Sequence, residues 1–302
     1  MADLLSQSLT GRCLFAIPKK GRLNAKVMEI LAGADIQFTR SHRLDVCLVR
    51  NHNMALVFLP AADIPRFVGE GNVHFGITGQ DMVAEADVNG LVTETLQLGF
   101  GKCKLQIQVP EKSGFKTAAD LVGKKVVTSF EVLAGRYFGD LDAKAGNGAK
   151  TKIEYVGGSV EAACALGLAD GIVDLVESGE TMRAAGLHAI ETILASEAVL
   201  IRSQKPADEH AELIDRITSR IAGVVAAGKY VLCNYNIARS NVAQATQITP
   251  GRRAPTVSPL DDPEWVAVSS MVLKAELADV MDRLQSIGAT DILVVGLTNC
   301  RV

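Results

Sequence analysis

The sequence contains no C-x-x-C pair, no H-E-x-x-H run and no other histidine cluster in its 302 residues. Its five histidines are scattered, which argues against a dedicated zinc site. The six cysteines, Cys13, Cys47, Cys103, Cys164, Cys233 and Cys300, share no pairing pattern, and most sit in apolar runs. They read as buried free thiols of a reducing compartment. An excess of positive charge is also missing. The net charge is −3, so no global field exists for nucleic acid or an anionic membrane. No apolar run approaches a membrane span, and residues 1–12 are polar, without the hydrophobic stretch of a secretory signal. The expectation is a cytoplasmic protein with neither nucleic-acid nor membrane partners. Catalytic signatures are sparse too. Gly157-Gly158-Ser159 is not G-x-S-x-G, and Gly99-Phe100-Gly101 is not G-x-G-x-x-G. Residues 223–229 nearly match a P-loop, but Tyr230 stands where Ser or Thr is needed, and the run ends a helix rather than starting one. With no nucleophile–base pair in view, covalent catalysis is disfavoured, and positioning plus electrostatics remain.

Apolar residues make up 48% of the chain, ample for real cores, and its length favours two or three packed units. Residues 13–18 read as a buried strand. Asn24 then caps a helix in which Val27, Ile30 and Leu31 recur at helical spacing. Strand-like runs at 45–49, 55–59 and 74–78 alternate with helix signals at 63–65 and 80–86. This rhythm predicts an α/β unit with parallel strands. A second α/β unit has strands at 105–110, 125–129, 153–156 and 172–176 and helices at 132–141, 160–168 and 181–185. In each unit an apolar strand passes through a Gly turn into a helix, at 76–81 and at 173–179. That suits two similar lobes facing each other over a cleft, with ligands at the strand C-termini. Residues 208–227 form an amphipathic helix with Leu213, Ile214, Ile217, Ile221, Val224 and Val225 on one face. The order then becomes βαββαβ, that of a ferredoxin-like module. The expected boundaries are 1–104 with 190–221 for lobe I, 105–189 for lobe II and 222–302 for a third domain.

Two motifs could carry chemistry. At residues 174–181 a strand ends, Gly179 permits tight backbone geometry, and a helix begins at Thr181. Backbone N–H groups and a helix N-terminus, carrying about half a positive charge, suit one phosphate. Ser178 and Thr181 add hydroxyls. Asp174, Glu177 and Glu180 would repel phosphate, but fit if they accept from sugar hydroxyls or hold Mg²⁺. Phosphate plus vicinal diol is a ribose 5-phosphate. A capped helix start with solvated glutamates is the competing reading of the same loop. The second motif is Lys19-Lys20-Gly21-Arg22, directly after the first strand. Three cations around a Gly suit a pyrophosphate or triphosphate, or make a solvated basic turn. Arg136 either adds a cation to the cleft or is an ordinary surface-helix arginine.

The runs KKGRL at 19–23, GITGQD at 76–81, LGFGKCKL at 98–105, GSVE at 158–161, LADGIVDLVESGET at 168–181 and AGL at 185–187 resemble the ATP phosphoribosyltransferase family. ITPGR at 248–252 and APTVSPL at 254–260 resemble that family's regulatory region. The resemblance keeps its order along nearly the whole chain and implies the long form of the enzyme. It also implies a two-lobed catalytic region like that of periplasmic binding proteins, dimers and hexamers, Mg²⁺ as cofactor, and feedback inhibition by histidine. The implied reaction transfers the 5-phosphoribosyl group of phosphoribosyl pyrophosphate to N1 of ATP, the first step of histidine biosynthesis. The family's phosphoribosyl loop falls on residues 174–181. On that footing Lys19, Arg22 and Asp174 are the expected catalytic residues, with Asp174 also a metal ligand. Lys20, Gly21, Asp81, Arg136, Glu161, Glu177, Ser178, Gly179, Glu180 and Thr181 are the expected substrate-binding residues. Asn234 and Thr249 are the expected effector contacts. Glu177-Ser178-Gly179 stands where the family often has Ser-Thr-Gly, and Lys104 where Arg is common. Two other functions fit two lobes and a third domain: a pure ligand-binding protein, and a transferase acting on another base.

Overall fold

The apolar run at the start of the chain becomes strand β1 (Cys13–Pro18), whose side chains are almost all buried. Such a strand belongs inside a sheet covered on both faces. A computed structural model describes residues 8–40, 44–146, 148–205 and 208–301. The chain divides into two compact units, Met1–Met28 with Gln37–Ile214 and Glu29–Ile36 with Asp215–Val302.

The first unit contains two sheets. One is ordered β2 (Val46–Leu48), β3 (Met54–Leu59), β1, β4 (Phe75–Gly79), β11 (Ala198–Ser203) and β5 (Val92–Gln97). The other is ordered β10 (Leu187–Ser196), β6 (Cys103–Pro110), β9 (Gly171–Val176), β7 (Lys125–Thr128) and β8 (Lys152–Tyr155). Setting aside the edge strand β2, both sheets follow one plan. Two parallel crossovers lay down three strands. A strand arriving from the other sheet then pairs antiparallel with the third, β11 on β4 and β6 on β9. The two lobes expected from the Gly turns are thus a repeat of topology. The sheets are mixed rather than all-parallel, because the strands that cross between lobes enter from the opposite end.

The chain crosses twice. The first crossing, between β5 and β6, turns on Gly99 (φ 74°) and Gly101 (φ 65°). The second lies between Ser196 and Ala198, at the junction of β10 and β11. The expected return at 190 is therefore displaced. All of β10 pairs with β6, so the second lobe extends to Ser196. β5, β10 and β11 carry no clean alternation of apolar and polar residues, which is why the sequence did not declare them.

Helix α1 (Asn24–Gly33) begins in this unit and ends in the second, and α2 (Ile64–Gly69), α3 (Gln80–Glu85), α4 (Glu131–Ala145), α5 (Ala162–Ala165) and α6 (Glu180–Ala184) lie within the first. The helix expected over 160–168 shrinks to the single turn α5, with Ser159 ahead of it at φ 51°. Lobe I is cored by Ala16, Ile64, Val68, Val73, Val199 and Ile201, and lobe II by Leu105, Ile107, Val126, Phe138 and their neighbours. Phe15 and Phe75 lie opposite each other on β1 and β4, and their rings stack 4.0 Å apart. Such a pair adds about 0.5–1.5 kcal/mol beyond its buried area.

Just before β4, His74 accepts the Leu14 N–H on Nδ1 at 2.8 Å and meets His210 edge-on at 4.6 Å. Burial, then the neighbouring His210, pushes its pKa below the ordinary 6.5. A proton on Nδ1 would break the backbone bond. Stability should therefore be full above about pH 6.5 and fall as the pH drops through the lowered folded value. Urea denaturation at several pH values checks this: a His74→Gln protein should show a shallower acid loss than wild type, and identical slopes would refute it.

In the second unit, α7 (Ala211–Lys229) is followed by β12 (Tyr230–Ala238), α8 (Val242–Ile248), β13 (Thr256–Pro259), β14 (Trp265–Leu273), α9 (Leu277–Ser286) and β15 (Thr290–Gly296). The antiparallel sheet order β13-β14-β12-β15 is the ferredoxin-like arrangement expected from βαββαβ. β12 and β14 alternate strictly between buried and half-buried. Their inward residues, among them Cys233, Tyr235, Val266 and Val268, pack with Ala245, Val280 and Leu284 of the helices. The P-loop look-alike is helical, and Gly223 serves packing there: Cys300 N–H donates to its carbonyl at 3.2 Å.

Candidate active site

β1 ends at Pro18, whose carbonyl accepts from Asn24 Nδ2 at 2.6 Å. Between them Gly21 takes φ 88°, a left-handed turn that favours glycine. That turn sends its three cations to different places. Lys19 goes to Asp45, with Nζ 2.8 Å from Oδ1, and Lys20 is exposed. Arg22 alone reaches the lobe crossing. Its Nη1 donates to the Gly101 carbonyl at 2.5 Å, and its Nη2 donates to Cys103 Sγ at 3.2 Å. Nη2 lies 3.6 Å from Asp81 Oδ2, and Nη1 lies 3.2 Å from Glu177 Oε1 on the opposite lobe.

Asp81 opens α3 and is fully buried; Oδ1 accepts from the Ser196 hydroxyl at 2.7 Å, while Oδ2 has no hydrogen-bond donor. Gly79 is needed beside it, because a Cβ there would strike Asp81 Oδ1. Burial raises the Cys103 thiol's pKa, with Arg22 pulling the other way. The neutral thiol serves as a contact for Arg22 and not as a nucleophile.

An open cavity of about 540 Å³ lies against the crossing and the end of β9. Glu177, Ser178 and Gly179 line it, together with Lys102, Lys104, Gln106, Arg183 and Ser196. Gly179 sits at φ 76° and precedes α6, and any Cβ on it would come within 2.8 Å of Arg183 Nη1. Arg183 in turn donates to the Ser178 carbonyl at 3.1 Å. Glu180 and Thr181 form the exposed first turn of α6. With Arg22 at its edge, the cavity presents four cations against two carboxylates, Glu177 and Glu197, a balance still suited to an anion with several charges.

Asp174 and Glu161 do not line this cavity, although the Glu161 charge acts on Asp174. Asp174 lies on β9 opposite Gln106, and its Oδ1 accepts its neighbour's N–H, from Leu175, at 2.8 Å. Burial, with the Glu161 charge as a smaller contributor, pushes its pKa from 3.8 up to about 6; the Leu175 N–H opposes this.

Arg136 is not brought to this site. It is on α4, and its Nη2 pairs with Asp87 Oδ2 at 2.5 Å. The N-terminus of that helix is likewise occupied: Glu85 accepts from the N–H groups of Val132 and Leu133 at 2.9 and 3.0 Å. Lys19 and Lys20 do not line the cavity either. Sequence reasoning missed Lys102, Arg183, Gln106 and Ser196. Lys102 stood within the run at 98–105, but nothing in the spacing marked the other three.

The expected effector residues of the second unit are not brought together. Thr249 is buried; its hydroxyl donates to the Ala245 carbonyl at 3.1 Å and lies 2.7 Å from the Tyr235 hydroxyl. Asn234 is on the opposite face of β12, level with Ser269 and Leu293. Thr249 does border a cavity of about 400 Å³ that Tyr230, Arg252 and Glu276 also line.

The sequence profile described as ATP phosphoribosyltransferase matches residues 60–223, and the profile of that family's C-terminal domain matches residues 227–299. The chain belongs to the ATP phosphoribosyltransferase family. It is 58% identical to the ATP phosphoribosyltransferase of Yarrowia lipolytica over 298 residues, covering 99% of each chain. It is 53% identical to that of Saccharomyces cerevisiae over 300 residues, covering 99% of this chain and 100% of the other. A solved ATP phosphoribosyl transferase (HisG:HisZ) complex from Thermotoga maritima shares the fold, with a TM-score of 0.57 at 22% identity over 70% of this chain and 98% of that one. The additional C-terminal domain makes this chain the long form of the family's enzyme, a pentosyltransferase of the first step of histidine biosynthesis. Among the described residues no helix is long and apolar enough to cross a membrane.

Family membership raises the question of Mg²⁺. Among the described residues no three His, Cys, Asp or Glu side chains cluster as a cage. Mg²⁺ used with phosphate substrates needs only one or two carboxylates, the rest of its shell coming from phosphate oxygens and water. Asp174, with the Glu161 charge near enough to raise its pKa, is a carboxylate of that kind.

Proposed function

We propose that the cavity beside residues 177–183 receives phosphoribosyl pyrophosphate and that ATP meets it across the lobe crossing. The observation that carries this reading is the Arg22 guanidinium, held by the crossing at Gly101 and Cys103 and facing Glu177 on the other lobe. Adenine N1 attacks C1 of the ribose with its lone pair, the C1–oxygen bond breaks, and pyrophosphate leaves with that electron pair. N1 carries a usable lone pair already, so no general base is required. The difficulty is bringing two polyanions together, and oriented binding can supply about 7–11 kcal/mol of such a barrier.

In this reading the backbone N–H groups and hydroxyls of Ser178, Gly179, Glu180 and Thr181 hold the 5-phosphate. Asp174 and Glu177 accept from the ribose hydroxyls. Arg22, with Lys102, Lys104 and Arg183, meets pyrophosphate or triphosphate oxygens. Lys19, paired with Asp45, and the exposed Lys20 take no direct part in this reading. Mg²⁺, bound through Asp174 with Glu161 nearby, would neutralise phosphate charge.

The test is ultraviolet absorbance of the protein mixed with ATP, phosphoribosyl pyrophosphate and Mg²⁺. Alkylation at adenine N1 changes the spectrum, whereas a pure binding protein leaves it flat. Thr181→Ala should raise the apparent KM for phosphoribosyl pyrophosphate by about tenfold, the value of one hydrogen bond to a charged group. An effect confined to ATP would contradict the loop assignment.

Histidine is proposed as the inhibitor, in the cavity bordered by Thr249, where Arg252 suits a carboxylate and Glu276 an ammonium group. Arg252→Ala should then abolish inhibition by histidine and leave uninhibited turnover unchanged. A homo-oligomer, dimer or hexamer, in the cytoplasm is proposed as well; the exposed Leu293 and Val295 on the edge strand β15 support self-association. Sedimentation velocity with and without histidine reads it directly.

A further inference from the structure

Arg22 rests on a floor of three groups: the Gly101 carbonyl, the Cys103 thiol and the Asp81 carboxylate. Ser196 touches two of them. Its hydroxyl donates to Asp81 Oδ1 at 2.7 Å and accepts from the Asp81 N–H at 3.0 Å. It also stands opposite Cys103 in the ladder between β10 and β6, within reach of that thiol. Ser196 is 5% exposed and Asp81 1%.

A hydroxyl has one proton to give. Given to Oδ1, it fixes the carboxylate's rotation and leaves Oδ2 buried, without a hydrogen-bond donor and directed at Arg22. Among the described residues Arg22 is the cation that balances this buried carboxylate, so the direction of Oδ2 sets where the guanidinium can sit. Ser196 is also the last residue of β10, where the chain leaves the second sheet, while Asp81 opens α3 of the first lobe. The bond therefore ties the crossing to the first lobe at the place where Arg22 reaches over.

We infer that Ser196 is a positioning residue for the transfer reaction, acting through Asp81 to hold Arg22 where it meets the pyrophosphate oxygens. The inference rests on the assignment of Arg22 to an anion under the proposed function. It goes further in naming a neutral side chain outside the phosphoribosyl loop, across the same cavity from it, on which the transfer depends. A purely structural serine, present only to accept the Asp81 N–H, would make a different prediction. Its loss would lower stability without acting through Arg22.

The experiment uses the full chain with Ser196→Ala, Ser196→Cys, Ser196→Thr, Arg22→Lys and the Ser196→Ala/Arg22→Lys double variant. Steady-state kinetics are read alongside calorimetric binding of pyrophosphate and thermal denaturation. Ser196→Ala should lower kcat/KM by about ten- to a hundredfold and weaken pyrophosphate binding, as expected for a lost hydrogen bond to a charged group. Ser196→Cys keeps the volume with only a weak donor and should show the same direction of loss, which carries the test if the alanine protein does not fold. Ser196→Thr keeps the hydroxyl and should recover most of the activity. In the Arg22→Lys background, Ser196→Ala should add less than about threefold, because interacting sites are non-additive. Equal factors in both backgrounds would overturn the inference, as would wild-type kinetics and pyrophosphate affinity in a folded Ser196→Ala or Ser196→Cys protein. A wild-type protein that binds pyrophosphate but leaves the absorbance of ATP unchanged would refute the proposed function instead, and the pyrophosphate arm would still decide the role of Ser196.

Discussion

The Arg22→Lys protein should fold normally and lose on the order of a hundredfold in kcat/KM, the scale seen when one preorganised charge-stabilising donor is removed from an active site. The reason is geometric. The guanidinium contacts the Gly101 carbonyl, Cys103 and Asp81 while its remaining edge faces Glu177. An ammonium on a flexible stem cannot meet all of these at once and still offer a planar fork to a phosphate. Arg22→Ala should be at least as inactive but is a poorer test. It leaves the fully buried Asp81 without its cation, which costs about 3–5 kcal/mol when a buried pair is broken. Lysine keeps the charge and so separates catalysis from folding. Steady-state kinetics beside a denaturation curve check both halves. Unchanged kinetics in a folded Arg22→Lys or Arg22→Ala protein would remove Arg22 from the reaction.

For Asp174→Asn the expected outcome is opposite in sign for the two readouts: a more stable protein that hardly turns over. Burial raises the Asp174 pKa from 3.8 to about 6. A carboxyl whose folded pKa is raised favours the folded state most below about 3.8, where it is neutral in both states. That advantage is lost as the pH rises, and above about 6 the whole cost of burying the ion is in place. A shift of roughly two units corresponds to a cost of the order of 2–3 kcal/mol. Asparagine is neutral at every pH and can still accept the Leu175 N–H. Without ligand or Mg²⁺, its stability gain should vanish in acid and reach full size near neutrality. If Asp174 accepts from ribose hydroxyls or holds Mg²⁺, the same change should cut kcat/KM at least about a hundredfold. A variant destabilised at pH 7, or one with wild-type kinetics, would contradict the assignment. Such a trade of stability for activity is what a functional buried carboxylate produces.

Much of the fold was legible in the residues. β1 read as a buried run and β3 and β4 as strands, and the βαββαβ order of the second unit was legible too; its β12 and β14 bury alternate residues. The strands that cross between lobes did not stand out. β5 is mostly exposed, and β10 is broken by two register shifts, so neither shows a period. They are strands because their neighbours supply partners, a decision made at long range.

The candidate site divides along the same line. A turn of Lys, Lys, Gly and Arg announces cations next to a strand end, and Gly179 beside Ser178 announces a tight loop. Those are local features, written in adjacent residues. Which cation matters was not local. Lys19 is taken by Asp45, Arg136 by Asp87, and only Arg22 reaches the crossing. Ser196 is separated from Asp81 by 115 residues, and no pattern in the sequence could link them. The sequence by itself determined the types of the buried and regularly patterned elements, the two Gly turns and the kinds of charge available. Only the tertiary structure decided which charges meet, because a salt bridge or a buried hydrogen bond depends on distance in space and on exclusion of water, and neither is a property of neighbouring residues.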